Sequence, residues 1–144
     1  MAETELKFGL TEAAAAAVGA TLAARGAETV ALESRYFDTP GGDLARAGIA
    51  FRLRRSGNAW EQTVKAEGAT PIERLEETVT LQLPPGTGTP APDPALFAGS
   101  AAAPLLAAAL DGDATLAPVF ATVVRRSALA IEVAGTELEV ALDR

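Results

Sequence analysis

The chain reads as an α+β fold: a meandering antiparallel sheet, barrel-like and curled around a charged lumen, with two main helices packed outside. Three observations carry this expectation. Short segments alternate apolar and polar residues at period two, the spacing of half-buried strands. Two Ala-rich stretches between turn signals carry helix-forming composition instead. The polar faces of the strand segments also collect both lysines of the chain, Lys7 and Lys65, along with Arg52, Arg54, Arg74 and Arg126. A solvated face has no need to gather cations opposite a tidy apolar face, whereas a closed or nearly closed barrel can enclose a polar lumen.

The elements follow in order. Thr4 to Phe8 alternates, with Leu6 and Phe8 on one face and Glu3, Glu5 and Lys7 on the other, which predicts a short first strand. Thr11 is placed to cap an Ala-rich helix over Glu12–Arg25, which Gly26 stops. A strand over Thr29–Phe37 runs into the turn signal Asp38-Thr39-Pro40-Gly41-Gly42, and Asp43–Ala47 makes one helical turn. Ile49–Arg55 turns Phe51 and Leu53 one way and Arg52 and Arg54 the other, and Ser56-Gly57-Asn58 returns the chain as Trp60–Lys65, with Glu61 on the polar face. Glu73–Leu83 is the longest clean alternation, with Leu75, Val79 and Leu81 opposite Arg74, Glu76, Thr78 and Thr80. After a Pro- and Gly-rich loop, a second helix spans Pro94–Leu110, interrupted at Gly99 or Pro104. Val119–Val133 and Thr136–Asp143 close the chain as two long strands joined at Ala134-Gly135.

Composition narrows the chemistry. With 144 residues the chain is one domain's length. No apolar stretch approaches the roughly 18 residues of a membrane span. The N-terminus carries acid where a secretory signal carries base, so a cytoplasmic protein without membrane partners is expected. A net charge of −7 argues against a broad nucleic-acid surface, although a concentrated basic pocket fits within it. Cysteine and histidine are both absent, so a metal here must be a hard, oxygen-ligated ion. Arginines and lysines converging in a lumen suit a compact polyanion. Two glutamates at i, i+2 on one strand, about 6–7 Å apart, could share a divalent ion that bridges to it. The combination points to metal-assisted phosphoryl chemistry.

The N-terminal Glu3-Thr4-Glu5-Leu6-Lys7 resembles the Glu-x-Glu-x-Lys signature of the CYTH, or triphosphate tunnel metalloenzyme, superfamily. Further segments agree in order: Tyr36-Phe37-Asp38-Thr39-Pro40, Phe51-Arg52-Leu53-Arg54, Thr63-Val64-Lys65, Arg74-Leu75-Glu76, Arg125-Arg126 and Ala141-Leu142-Asp143-Arg144. The resemblance covers residues 1–144 as one domain and is greatest to bacterial inorganic triphosphatases. It implies metal-dependent hydrolysis of inorganic triphosphate (tripolyphosphate), with Mg²⁺ or Mn²⁺ as cofactor. Thiamine triphosphatase activity, adenylate cyclase activity of class IV type, and non-catalytic polyphosphate binding stand as the alternatives.

By the same resemblance Lys7, Arg52, Arg54, Lys65, Arg74 and Arg126 bind the substrate, with Lys7 also catalytic. Glu3, Glu5, Glu76, Glu139 and Asp143 match metal carboxylates, Glu139 and Asp143 less closely. Strand parity prefers Arg126 over Arg125, because Arg125 shares its face with Val123, Leu129 and Ile131. The family tunnel closes with further C-terminal strands, so the chain is expected to lack them, to turn over poorly and to associate through unpaired edges.

Overall fold

The computed structural model describes residues 2–68 and 73–144, and the side chains of Ala2, Glu3 and Glu73 lie outside that description. The fold is α+β. Its strands are β1 (Ala2–Thr4), β2 (Glu28–Asp38), β3 (Ile49–Ser56), β4 (Ala59–Glu67), β5 (Glu73–Leu81), β6 (Ala117–Val133) and β7 (Thr136–Asp143). They hydrogen-bond in the order β1-β5-β4-β3-β2-β6-β7. The helices are α1 (Glu12–Ala24), α2 (Asp43–Arg46) and α3 (Ala102–Ala109). Two compact units divide the chain. The first holds Met1–Leu6 and Glu33–Thr122, the second Lys7–Leu32 and Val123–Arg144.

In the first unit β3, β4 and β5 form an antiparallel meander whose register decides what shares a face. Arg52 stands opposite Thr63 and Thr63 opposite Thr78, while Phe51 stands opposite Val64. Alternation therefore sends Phe51, Leu53, Trp60, Val64 and Ala66 to one side, where they are buried. There they join Phe37, Leu44 and Ile49 and the helical residues Phe97, Ala102 and Leu106 in one continuous core. The Phe51 and Phe97 rings meet edge to face with centroids 5.9 Å apart. The expected second helix is split. A 3₁₀ turn covers Pro94–Phe97, and α3 starts only after Gly99, whose φ of 81° no α-helix can contain.

Asp38 ends β2 and starts α2. Its carboxylate accepts from the backbone N–H groups of Thr39 (2.7 Å), Leu44 (2.9 Å) and Ala45 (3.0 Å). Burial pushes this carboxyl up, but those three donors, with the Arg46 guanidinium nearby, outweigh it and hold the group below its ordinary value.

In the second unit Thr11 caps α1, its hydroxyl accepting from Ala14 N at 3.2 Å. The helix lies against β6 and β7, and Gly19 leaves room for the close approach. A Cβ there would meet Arg144 Nη2 at 2.7 Å and Leu142 Cδ2 at 3.3 Å. The Arg144 guanidinium donates in turn to the Ala15 carbonyl at 2.6 Å. Val140 stands opposite Leu129, and both line an apolar groove with Ile131 and the α1 residues Ala17, Val18 and Leu22.

One expectation is corrected. The first strand does not run over Thr4–Phe8: β1 is Ala2–Thr4, and the following residues up to Thr11 belong to no helix or strand. Its length is set by pairing with β5, where Glu3 meets Arg74 and Thr4 meets Glu73. Leu6 and Phe8, expected on an apolar face, are 68% and 79% exposed. Local alternation of apolar and polar residues is not by itself enough to make a strand, which also needs a partner in register.

Candidate functional site

The charged face of the first unit is the underside of its core. Because Phe51 and Leu53 pack inward, Arg52 and Arg54 project from the opposite side of β3. Register then carries Glu61, Thr63 and Lys65 of β4 and Glu76 and Thr78 of β5 to that same side. Arg52 is 7% exposed, a burial rare for a guanidinium. It donates to Thr63 Oγ1 at 3.3 Å and lies 3.9 Å from Glu61 Oε1, while its buried Nε has no hydrogen-bond partner among the described residues. Thr63 and Thr78 share a hydroxyl hydrogen bond of 3.0 Å. Arg54 donates from Nε to Ser34 Oγ at 3.0 Å. Lys65 Nζ sits 2.7 Å from Glu76 Oε2, both side chains about three-quarters buried. Arg74 is exposed near the end of this face, opposite Glu67 of β4.

The other expected residues of the first unit stand at its N-terminus. The side chain of Glu3 lies outside the described residues, although its backbone pairs with Arg74. Glu5 is half-buried and falls after β1, so the i, i+2 strand geometry assumed for the two glutamates does not hold.

In the second unit Lys7 is exposed and also lies outside any strand. Arg126 forms a two-pronged ion pair with Asp143, Nε to Oδ1 and Nη2 to Oδ2, each 2.7 Å. Leu129 and Ile131 turn toward α1, so Arg126 occupies the other face of β6, as parity predicts. Glu139 lies on that face opposite Ala130, and four residues of extended strand, about 13 Å, separate it from Asp143. Among the described residues no three acidic side chains come together in a group able to hold a metal ion. Glu76 and Asp143 each pair with a cation, Lys65 and Arg126 respectively.

One contributor escaped the sequence reading, Ser34, which Arg54 reaches. Glu61 was already placed on this polar face, but its approach to Arg52 and the Thr63–Thr78 hydrogen bond depend on the register. Alternation on β2 could have found Ser34, since Phe37 enters the core and Ser34 has the opposite parity. Chemically the face offers one buried guanidinium with an N–H unpartnered among the described residues and a second guanidinium on a hydroxyl. It also offers an ammonium held by an exchangeable carboxylate. Such donors grip an oxyanion through short charge-assisted bonds.

A family model described as the CYTH domain matches residues 1–144. No curated protein matches the chain in sequence. Among solved structures it is similar to one from Bacillus halodurans described as a candidate adenylate cyclase. The TM-score is 0.61 at 15% identity, over 99% of this chain and 74% of that one. It is also similar to a candidate adenylyl cyclase from Hippeastrum described as having a dominant triphosphatase activity. There the TM-score is 0.54 at 18% identity, over 97% and 69% of the two chains. No helix among the described residues is long and apolar enough to cross a membrane.

Proposed function

The chain belongs to the CYTH domain family, which includes triphosphatases and adenylyl cyclase-like members, and we propose that it hydrolyses inorganic triphosphate on the basic face of β3, β4 and β5. The buried Arg52, with one N–H that finds no partner among the described residues, is the observation that supports this most. A desolvated guanidinium is costly to keep, and an anion that accepts from that N–H recovers part of that cost. Arg52 and Arg54 reach the face from one strand two residues apart, about 7 Å, a spacing suited to successive phosphates of one chain. Lys65 would exchange Glu76 for a phosphate oxygen, a trade between two anions that leaves the ammonium paired throughout.

Water would add to the terminal phosphorus as the bridging P–O bond breaks, leaving phosphate and diphosphate and releasing the proton to solvent. Positioning and charge neutralisation are the protein's main contributions to such a reaction. Lys7, as the catalytic lysine, with Arg74 and Arg126 as further phosphate ligands, is proposed on the match to the family pattern alone. So are the metal carboxylates Glu3, Glu5, Glu76, Glu139 and Asp143. Mg²⁺ or Mn²⁺ is the proposed ion, because a chain with neither histidine nor cysteine offers only hard oxygen donors.

Phosphate release from triphosphate, ATP and thiamine triphosphate, with Mg²⁺, with Mn²⁺ and with neither, tests the proposal. Metal-dependent release from triphosphate is expected. Arg52→Ala should weaken triphosphate affinity by roughly 10- to 100-fold, the worth of one charge-assisted bond of about 1.5–3 kcal/mol. Tight binding without release would make the chain a polyphosphate-binding module, and cyclic nucleotide from ATP would make it a cyclase.

A further inference from the structure

Two cations of the basic face are held by different chemistry. Lys65 Nζ lies 2.7 Å from a carboxylate oxygen of Glu76, so its charge is already met. Arg52 instead donates from Nη2 to a neutral hydroxyl, Thr63 Oγ1, at 3.3 Å, while the Glu61 carboxylate stands back at 3.9 Å. Register puts Arg52 opposite Thr63 and Thr63 opposite Thr78, so the three form one row across β3, β4 and β5. Thr63 is 0% exposed, which leaves no solvent to take over a hydrogen bond it loses. A guanidinium can only donate, so Thr63 accepts from it and keeps its own proton and a second lone pair for a further partner. Thr78 Oγ1 supplies that partner at 3.0 Å, from an exposed residue at the edge of the row. A carboxylate in place of Thr63 would bind the guanidinium more strongly, and it would also compete with any phosphate for it. A hydroxyl fixes the direction of the cation and leaves its charge to be met by a ligand.

We propose that Thr63, steadied by Thr78, is a positioning residue for the anion: it holds the Arg52 guanidinium in the orientation that grips a phosphate without neutralising it. The inference rests on the phosphate reading of that face and deepens it, by separating a cation set ready for the ligand from Lys65, which must first release Glu76. The bond to Thr63 exists before the anion arrives, so the cost of ordering the arginine side chain is met in the free protein. Because Thr63 acts through Arg52, its contribution must vanish where Arg52 is removed.

Binding of inorganic triphosphate to the full chain, measured by calorimetry on wild type, Thr63→Val, Thr63→Ser, Thr78→Val, Arg52→Ala and the Arg52→Ala, Thr63→Val double variant, tests this. Valine keeps the shape of threonine and deletes the hydroxyl, so Thr63→Val should weaken triphosphate about tenfold. Thr63→Ser restores the hydroxyl and should stay within about twofold of wild type. Thr78→Val, at an exposed position where folding is at little risk, should weaken binding about threefold. With Arg52 already replaced by alanine, Thr63→Val should change affinity by less than about twofold. Unchanged affinity in Thr63→Val, an equal loss with and without Arg52, or a serine variant as weak as valine overturns the inference and leaves the phosphate reading standing. If Thr63→Val does not fold, unchanged affinity in Thr78→Val overturns it in the same way. Unchanged affinity in Arg52→Ala, or failure of wild type to bind, overturns both.

Discussion

The two units solve the same packing problem with different materials. The first backs its sheet with large side chains: Phe51, Leu53, Val64 and Phe97 are almost wholly buried in one continuous cluster. The second backs its strands with α1, whose sequence over Glu12–Ala24 is mostly alanine. Alanine favours the helix but supplies little volume. Beneath α1 an apolar groove of about 430 Å³ remains, lined by Ala17, Val18, Leu22, Leu129, Ile131 and Val140. Leu22, Leu32 and Leu142 are the large residues buried there. Helix propensity and packing are separable: α1 can form from composition alone and still leave its partner sheet incompletely covered.

The largest test of this contrast is Phe51→Ala in the first unit. It should cost about 3–5 kcal/mol, the range for emptying a tightly packed aromatic site. Leu22→Ala in the second should fall at the lower end of the 2–5 kcal/mol seen for leucine. Urea unfolding of both variants gives the comparison, and a larger loss at Leu22 would break it.

The sign should invert when volume is added. Ala17→Leu should fill the α1 groove and stabilise by roughly 0.5–2 kcal/mol. Ala66→Leu should overpack the first core and cost about 1–3 kcal/mol. Thermal midpoints moving in the same direction would mean that the groove is not free to accept a side chain.

Acid sharpens the comparison through Asp38, which ties β2 to α2 in the first unit. Its folded-state pKa is depressed, so its stabilisation is present in full above the unfolded carboxylate value of about 3.9 and is lost as pH falls through the folded value. Stability from this group should be flat between neutrality and about pH 5 and should decline below about pH 4. Asp38→Asn should lose that acid limb while lowering the midpoint at neutral pH, as a pH series of melting curves would show.

The smallest effect is expected at Arg126. Its ion pair with Asp143 is well aligned, but the two side chains are 30% and 46% exposed. Arg126→Ala should therefore cost no more than about 1 kcal/mol of stability, and less in high salt. Triphosphate affinity in the same variant reports whether this cation has a binding role as well.

Much of the first unit was legible because its strands alternate without interruption. Phe51 and Leu53 against Arg52 and Arg54 dictate which way β3 faces, and the Ser56-Gly57-Asn58 turn brings Lys65 to the side of Arg52. Thr11 as a cap was equally readable, since it acts through its own backbone neighbourhood, and of the two expected break points, Gly99 and Pro104, the positive φ of Gly99 makes it the break. The N-terminus was misread because Leu6 and Phe8 alternate in a segment that belongs to no strand, and alternation alone does not make one. The partners of the cations were not legible either: Ser34 and Glu76 meet Arg54 and Lys65 only once the register is known.

The sequence by itself determined the period and face of the long strands, the helical composition of α1, the inventory of cations and carboxylates, and the hard-donor chemistry open to a metal. These are properties of neighbouring residues, and they follow from side-chain alternation and propensity. Tertiary structure alone decided where β1 ends, which acids neutralise which bases, that Arg52 is buried with an N–H unpartnered among the described residues, and that Tyr36 meets Phe120. Each of those depends on pairing between segments far apart in the chain. Local pattern carries no register for such contacts, and the free energy that selects them appears only when the sheet is assembled.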